Sequence, residues 1–576
     1  MRLRTEAITS ETLLRRRRGD TPIQTTVWIL TVVVVVIPLL PLLYASMRDV
    51  PLYVKGGHFT LSGYRQLFDD PLFWTSVRNS IFFAAIAAVV AVGGGATFAI
   101  LCTRTNLPYR RALSVLIVLP ILLPPLGIVL GWVTVYGGFG YITIALRDAH
   151  LPVWSLSSVP GMGLLAGCLA LPLAFLICRA SLQSADVRLE DAARSAGASP
   201  LSVLRAVTLP QLRPALVNST ILVIILGFEN VGIPLIVGTY NHVSLFAGYL
   251  YQTWSNSFLP DPTAVSSGAT LLLAAVALLM LGRQQAMRRQ ERFVGIANPN
   301  ASAEPLDLGR WRRPCFALVA AFVSVAVLVP TIGLAISANV TVFTPRFAPW
   351  TVGSLDNWRS LSASGTLFAS LTHSLLIALI GGLVTTLLVA VATLVGHRSR
   401  FALRHTEGVM LSLPRSVPGI AIGLAVFWTF LLVNPPGGYL RNSIWGVGIA
   451  LCIHGLTLAY LVILASLSRI GTQLDAASRS LGASWWQTST KIVLAQLRPA
   501  LVAAFVLLFV SLFNDYEPAL FLVTPNSQIM GVTILHTYAK GLTGPVAALA
   551  LVQVGITAVA LACGAAVYTR IARVRT

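Results

Sequence analysis

Few residues in this 576-residue chain could do chemistry, and most of them stand in apolar company. Glu229 and Asn230 fall in GFENVGIP, and Asn514, Asp515 and Glu517 fall in LFNDYEPA; Arg415 stands in LPRSVPG. A polar or ionisable group among long apolar runs is costly to hold in lipid, so it either lines a path or fixes helices together by hydrogen bonding. Residue types alone leave both roles open. Arg415 either pairs with one of the acids or lies near a membrane boundary. The eight histidines are scattered with no i,i+4 pair, so no metal site is expected within the membrane. There is no GxxxxGK[ST] phosphate loop, no HExxH and no GxSxG. The chain is therefore expected to have no catalytic residues and no cofactor, and to bind no nucleotide itself.

The elements that position these residues are membrane helices. The chain is 56% hydrophobic and 11% charged, against about 25% charged in a soluble domain. Its net charge of +21 comes mostly from arginines clustered between apolar runs. That distribution marks contact with a lipid bilayer rather than a nucleic-acid footprint. Six cysteines lie in or beside apolar segments without CxxC spacing, which makes them packing residues.

About 20 apolar residues cross a bilayer. Such runs occur at 27–47, 76–102, 112–136, 159–178, 215–238 and 264–282, then at 314–337, 371–396, 409–433, 444–468, 500–524 and 546–569. With the N-terminus inside, 31 of the 41 Lys/Arg fall on the cytoplasmic side, so both termini are expected to be cytoplasmic. Arg15 to Arg18 precede a run too long for a signal-peptide core, which predicts a retained anchor.

The chain repeats itself. Residues 190–216 and 475–501 match at 13 of 27 positions at an offset of 285, Gly197/Gly482 among them. Asn79-Ser80 corresponds to His373-Ser374, and Pro120 and Pro124 to Pro414 and Pro418, whose spacing predicts kinked helices. The organisation read from this is a cytoplasmic tail (1–26), a first unit (27–282), an arginine-rich linker containing NPNASAEP (283–313) and a second unit (314–576). The two units share one topology. Each repeated loop reads as a helix, a glycine turn, and a second helix ending near Pro214 or Pro499. Such a cytoplasmic knob suits a groove on a partner.

At these loops a resemblance appears. They are similar to the EAA loops of binding-protein-dependent ABC importer permeases, EAA-x3-G-x9-I-x-LP. Asp191-Ala192-Ala193, Gly197 and Val207-Thr208-Leu209-Pro210 follow the pattern in the first copy. Ala476-Ala477-Ser478, Gly482 and Ile492-Val493-Leu494-Ala495 do so in the second. The acid of the pattern is Asp191 in one copy but Ala476 in the other, where Asp475 precedes it; Glu190 precedes Asp191 in the first. The terminal proline is kept only as Pro210.

The resemblance implies an all-α integral membrane protein with about twelve spans in two parallel six-helix type I permease repeats, in the bacterial inner membrane. It implies two ATP-binding-cassette ATPase subunits docked on the loops and a periplasmic substrate-binding protein, which would hold the ligand set for any metal cargo. It also implies alternating access driven by the partners' ATP. SLPRSVPGIAIG and Glu517-Pro518 most resemble the ferric iron permeases, a group with relatives for 2-aminoethylphosphonate, thiamine, sulfate and polyamines. The rival reading from another class is an ion-coupled secondary transporter. Its GxxxDRxGRR-like loop is not met by TRTNLPYRR at 103–111, and it leaves the paired loops unexplained.

Overall fold

The computed structural model describes residues 22–241, 243–255, 262–290, 305–341, 351–433 and 436–573. The expected N-terminal tail up to Thr21 and the linker stretch 291–304 lie outside the described residues.

Among the described residues eleven helices are long and apolar enough to cross a membrane, or twelve counting one bent pair. They are α1 (Pro22–Ala45), α2 (Pro71–Arg104), α3 (Pro125–Asp148), α4 (Val159–Ser184), α5 (Pro200–Glu229), α6 (Pro262–Met287), α7 (Gly309–Ala338), α8 (Gly365–Arg398), the bent pair α9 (Arg404–Ser416 and Gly419–Leu432), α10 (Ile444–Leu467), α11 (Trp485–Asn514) and α12 (Thr543–Ile571). Proline near the first turn and a side-chain cap start several of them. Asp70 accepts from the Leu72 amide at 2.8 Å, and Ser158 from Gly161 at 3.2 Å.

Three expectations change in the structure. The run 112–136 is not one helix. It splits into Arg110–Val118, a 3-10 turn at Leu119–Leu122 and α3, because Leu123 is extended ahead of two prolines. The second half breaks at the same place, with the two parts of α9 bent by 110° around Val417-Pro418. The prolines therefore make breaks rather than kinks. Pro214 and Pro499, by contrast, end nothing: each sits inside a continuous helix, α5 or α11. Backbone groups in lipid have no water to pair with, so the helix runs on around the ring.

The two halves exchange their first spans. In α1, the Trp28 indole donates to Thr406 Oγ1 at 2.9 Å, and the Thr31 hydroxyl donates to the Glu407 carboxylate at 2.7 Å, both at the start of α9. Reciprocally, α3 reaches α7: the Trp132 indole donates to Ala326 O at 3.2 Å and the Tyr136 hydroxyl to Val325 O at 3.0 Å. Small residues allow the close approach that drives helix association in lipid. A Cβ on Gly131 would fall on the Pro330 carbonyl of α7. Gly131→Val is therefore expected to part α3 from α7, at a cost of about 1–3 kcal/mol. Thermal unfolding of the purified protein reads the loss; an unchanged melting temperature would show that this contact does not hold the halves together.

Candidate coupling loops and translocation cavity

Between α4 and α5 lies a short helix, Val187–Ser195, whose first turn is capped by Asp186 accepting from the Arg188 amide at 3.0 Å. Gly197 follows with φ +84°, and its amide donates to Arg194 O at 2.8 Å. Between α10 and α11 the same device recurs: helix Gln473–Ser480, then Gly482 at φ +86° with its amide on Arg479 O at 3.0 Å. Side chains rarely adopt this left-handed geometry, so glycine ends both helices. Ser199 and Ser484 then cap the first turns of α5 and α11. Each of these helices passes through a π-type turn, at Leu204–Thr208 and Ser489–Val493, residues 285 apart.

An anchor that the sequence did not disclose fixes each loop to its half. Glu190 is fully buried; its carboxylate meets Arg104 Nε at 3.3 Å and accepts from the Thr208 hydroxyl at 3.0 Å. In the second half Asp475 meets Arg398 Nη1 at 3.0 Å. Each arginine ends the second span of its half and also donates to the carbonyl near the end of the fourth, Leu182 at 2.9 Å and Leu467 at 3.0 Å. Glu190 and Asp475 are thus equivalent. Asp191 and Ala476, where the pattern places its acid, are both exposed, as are Ala192 and Ala477. The loops are more alike than the acid of the pattern implied. The signal was present in the sequence as an arginine closing α2 and α8.

One real asymmetry remains. The Arg398 carbonyl accepts from the Trp485 indole at 3.1 Å, within its own loop. The Arg104 carbonyl accepts instead from the Leu306 amide at 2.7 Å, at the end of the linker. Asn106 then accepts from the Leu308 amide at 3.1 Å and donates to Asp307 at 2.6 Å. The Gly309 amide and Asn106 together hold the Asp307 carboxyl below the usual carboxylate range. The linker, expected as a plain connector, is thus tied to the first half at its C-terminal end.

Both knobs leave apolar side chains uncovered at matched positions. Leu189 and Leu474 are 54% and 43% exposed, and Leu201 and Trp486 are 55% and 37% exposed; each pair is 285 apart. Leu481 adds a fifth at 90%. Exposed apolar side chains at matched positions of the two loops are the kind of surface that a partner can cover.

The intramembrane residues gather around a cavity of about 490 Å³ between the halves. Glu229, Asn230, Asn514, Asp515 and Glu517 line it, and so does His454 of α10, which sequence reasoning did not single out. They do not lie mid-helix as the runs 215–238 and 500–524 imply. Glu229 and Asn514 are the last residues of α5 and α11, because the chain turns extended at Asn230 and Asp515. Asn230 accepts from the Ile233 amide at 3.1 Å and Asp515 from the Glu517 amide at 3.3 Å, so each caps the turn that follows. Asp515 also pairs with His454 Nδ1 at 2.6 Å. Arg415 is not in the cavity wall; it occupies the 3-10 turn Leu413–Ser416 and acts on Glu229 through space.

On the face away from the loops, Ser80 and Ser374 accept from the Phe246 and Met530 amides at 2.8 and 2.9 Å. They thereby start two short helices, Phe246–Ser255 and Met530–Ala539. Tyr251 of one meets His536 of the other at 3.2 Å, and Trp254 packs edge-on against Phe427 and Phe521. Burial and Lys540 hold His536 below its usual range.

With this geometry in place, comparison with known proteins gives the family. Residues 91–293 and 388–573, more than half of the chain, match the family described as binding-protein-dependent transport system inner membrane component. The chain is 24% identical to the ferric transport system permease protein FbpB of Actinobacillus pleuropneumoniae, over 81% of this chain and 67% of that one. It is 22% identical to the Fe(3+)-transport system permease protein FbpB 2 of Haemophilus influenzae, over 88% and 91%. It is 28% identical to the molybdenum transport system permease protein ModB of Escherichia coli K12, over 36% and 89%. Among solved structures, a bacterial ABC transporter for alginate import aligns at TM-score 0.37 and 16% identity, over 45% of this chain and 95% of that one. The chain belongs to the multi-pass inner-membrane permeases of binding-protein-dependent ABC transport, and it carries that permease unit twice.

Proposed function

We propose that this protein is the membrane-spanning permease subunit of a ferric iron importer, with permease units 27–282 and 314–576. Its two loops dock one ABC ATPase subunit each, on the cytoplasmic side where both termini lie. A periplasmic binding protein delivers the cargo to the opposite face. The observation that carries the reading is the matched pair of glycine-turned knobs. Both are pinned by an acid–arginine pair, fully buried in the first loop and partly in the second, and both leave apolar side chains uncovered. The ferric cargo rests on the names of the relatives.

The mechanism follows from α5 and α11. Each runs unbroken for 30 residues, about 45 Å, from its knob to the cavity. When ATP draws the partner subunits together, the knobs move with them, and the rods carry that motion to Glu229 and Asn514. ATP shifts the balance between inward- and outward-open states only through its partners' better fit to one of them. The test is uptake of radioactive ferric iron into vesicles holding this chain, its ATPase and loaded binding protein. ATP-dependent accumulation is expected. Accumulation without an ATPase subunit would sink the importer reading, and ATP-driven uptake of other cargo alone would sink the ferric one.

A further inference from the structure

We propose that the cavity between the halves is a transit site for a hard multivalent cation, built from Glu229 of the first half and Asp515 and Glu517 of the second. This deepens, and rests on, the reading of the chain as a cation importer. Carboxylate oxygens are the ligands that hard cations prefer. Here they come from both sides of the interface into one cavity.

Two further observations point to a ligand. Glu229 is 7% exposed and lines the cavity, yet its carboxylate takes part in no hydrogen bond or ion pair among the described residues. Unlike Asp515, it is not tied down by a histidine, although burying a bare carboxylate is costly. Asn514, also in the wall, has a buried Oδ1 with no donor. An orphan acceptor beside a carboxylate that no donor touches leaves both oxygens free to face a cation in the cavity. The backbone adds to this. α5 ends at Glu229 and α11 at Asn514, so two helix C-termini bring their negative ends to the cavity. Arg415 and His454 act on Glu229 from outside and beside it, against three carboxylates.

Among the described residues no three His, Cys, Asp or Glu side chains stand close enough to chelate a metal. That suits transit. A station on a path must admit its ion yet release it, so ligands held apart serve better than a closed shell. Because Glu229 and Asn514 end the two rods, movement of the knobs would change the gap between the two sets of ligands.

The experiment uses the whole complex, as wild type, Glu229→Gln and Glu229→Asp, with co-purification of the ATPase as the check on assembly. Terbium(III) alone is the binding probe, since Tyr516 in the cavity wall can sensitise its luminescence. Ferric uptake is measured in parallel. Glu229→Gln is expected to lose the Tyr-sensitised signal and to lower uptake about tenfold, with Glu229→Asp recovering most of both. Wild-type luminescence or uptake in Glu229→Gln overturns the site, as does equal loss in the Asp variant, which would mark a packing role. If wild type imports no ferric iron while terbium still binds in a Glu229-dependent way, the cargo reading falls and the cation site stands.

Discussion

Tryptophan at both Gly197 and Gly482 is expected to abolish ATP-driven uptake and to strip the ATPase subunits from the purified permease, while the membrane helices stay folded. Both glycines sit at left-handed φ, +84° and +86°. An L-side chain there costs about 1–2 kcal/mol per site, too little to unfold twelve packed spans. Nothing in the protein lies within 4 Å of a Cβ at Gly197, so the new side chain starts into open space in that loop. Its bulk is instead expected to stand in the space that a partner docked on the loop would occupy. Alanine at the same two positions imposes the backbone strain without the bulk, and it should keep measurable uptake. Co-purification and uptake in the two double variants therefore separate strain from obstruction. Equal loss in both would mean that the turn geometry, not the docking face, is what matters; undiminished uptake in the tryptophan variant would remove the loops from the mechanism. Single variants add a comparison, because the arginine that pins the first loop is bonded through its carbonyl to Leu306 of the linker, and the one that pins the second to Trp485.

What could be read in advance followed the physics that is local in sequence. Apolar run length gives the number of spans, since lipid demands it, though it misplaces the bounds of several, 112–136 and 215–238 among them. The repeat was legible down to Asn79-Ser80 and His373-Ser374. Residue identity could not say that the serine hydroxyls start the helices that meet at Tyr251 and His536. Prolines were misjudged in both directions. Pro214 and Pro499 were expected to end helices and do not, whereas Pro124 and Pro418 break theirs outright, with an extended residue ahead of each. Whether a ring breaks a helix depends on its neighbours, which a motif does not carry. Glu229, Asp515 and Glu517 were visible as misplaced charge, but His454 was not, because a lone histidine in an apolar helix has no spacing to betray it. The Arg104–Glu190 and Arg398–Asp475 pairs join residues 77 or more positions apart. Periodicity cannot see such a link.

Those pairs yield the second large effect. Arg104→Ala leaves the fully buried Glu190 carboxylate with only the more distant Arg194 guanidinium, 3.9 Å away, and the Thr208 hydroxyl, and also removes the donor to Leu182 O. Losing the nearer partner of a buried charge costs up to about 3–5 kcal/mol, less whatever Arg194 still supplies, and that is enough to loosen the short helix Val187–Ser195 from the membrane helices. Amide exchange over 187–208 is expected to accelerate in this variant while α10 and α11 keep their protection. Replacing both partners, as Arg104→Met with Glu190→Leu, takes away the poorly paired buried charge and should restore protection to within about 1–2 kcal/mol. The remainder would reflect the unpaired Leu182 carbonyl. Arg398→Ala should cost less, because the Asp475 side chain is 13% exposed and water can reach it once the guanidinium is gone. A double variant no better protected than Arg104→Ala would show that the guanidinium's packing and its bond to Leu182, rather than its charge, hold the first loop. If Arg104→Ala left exchange unchanged, the knob would be held by the π-type turn and the Gly197 cap alone, and its link to α2 would have no part in carrying motion into the membrane.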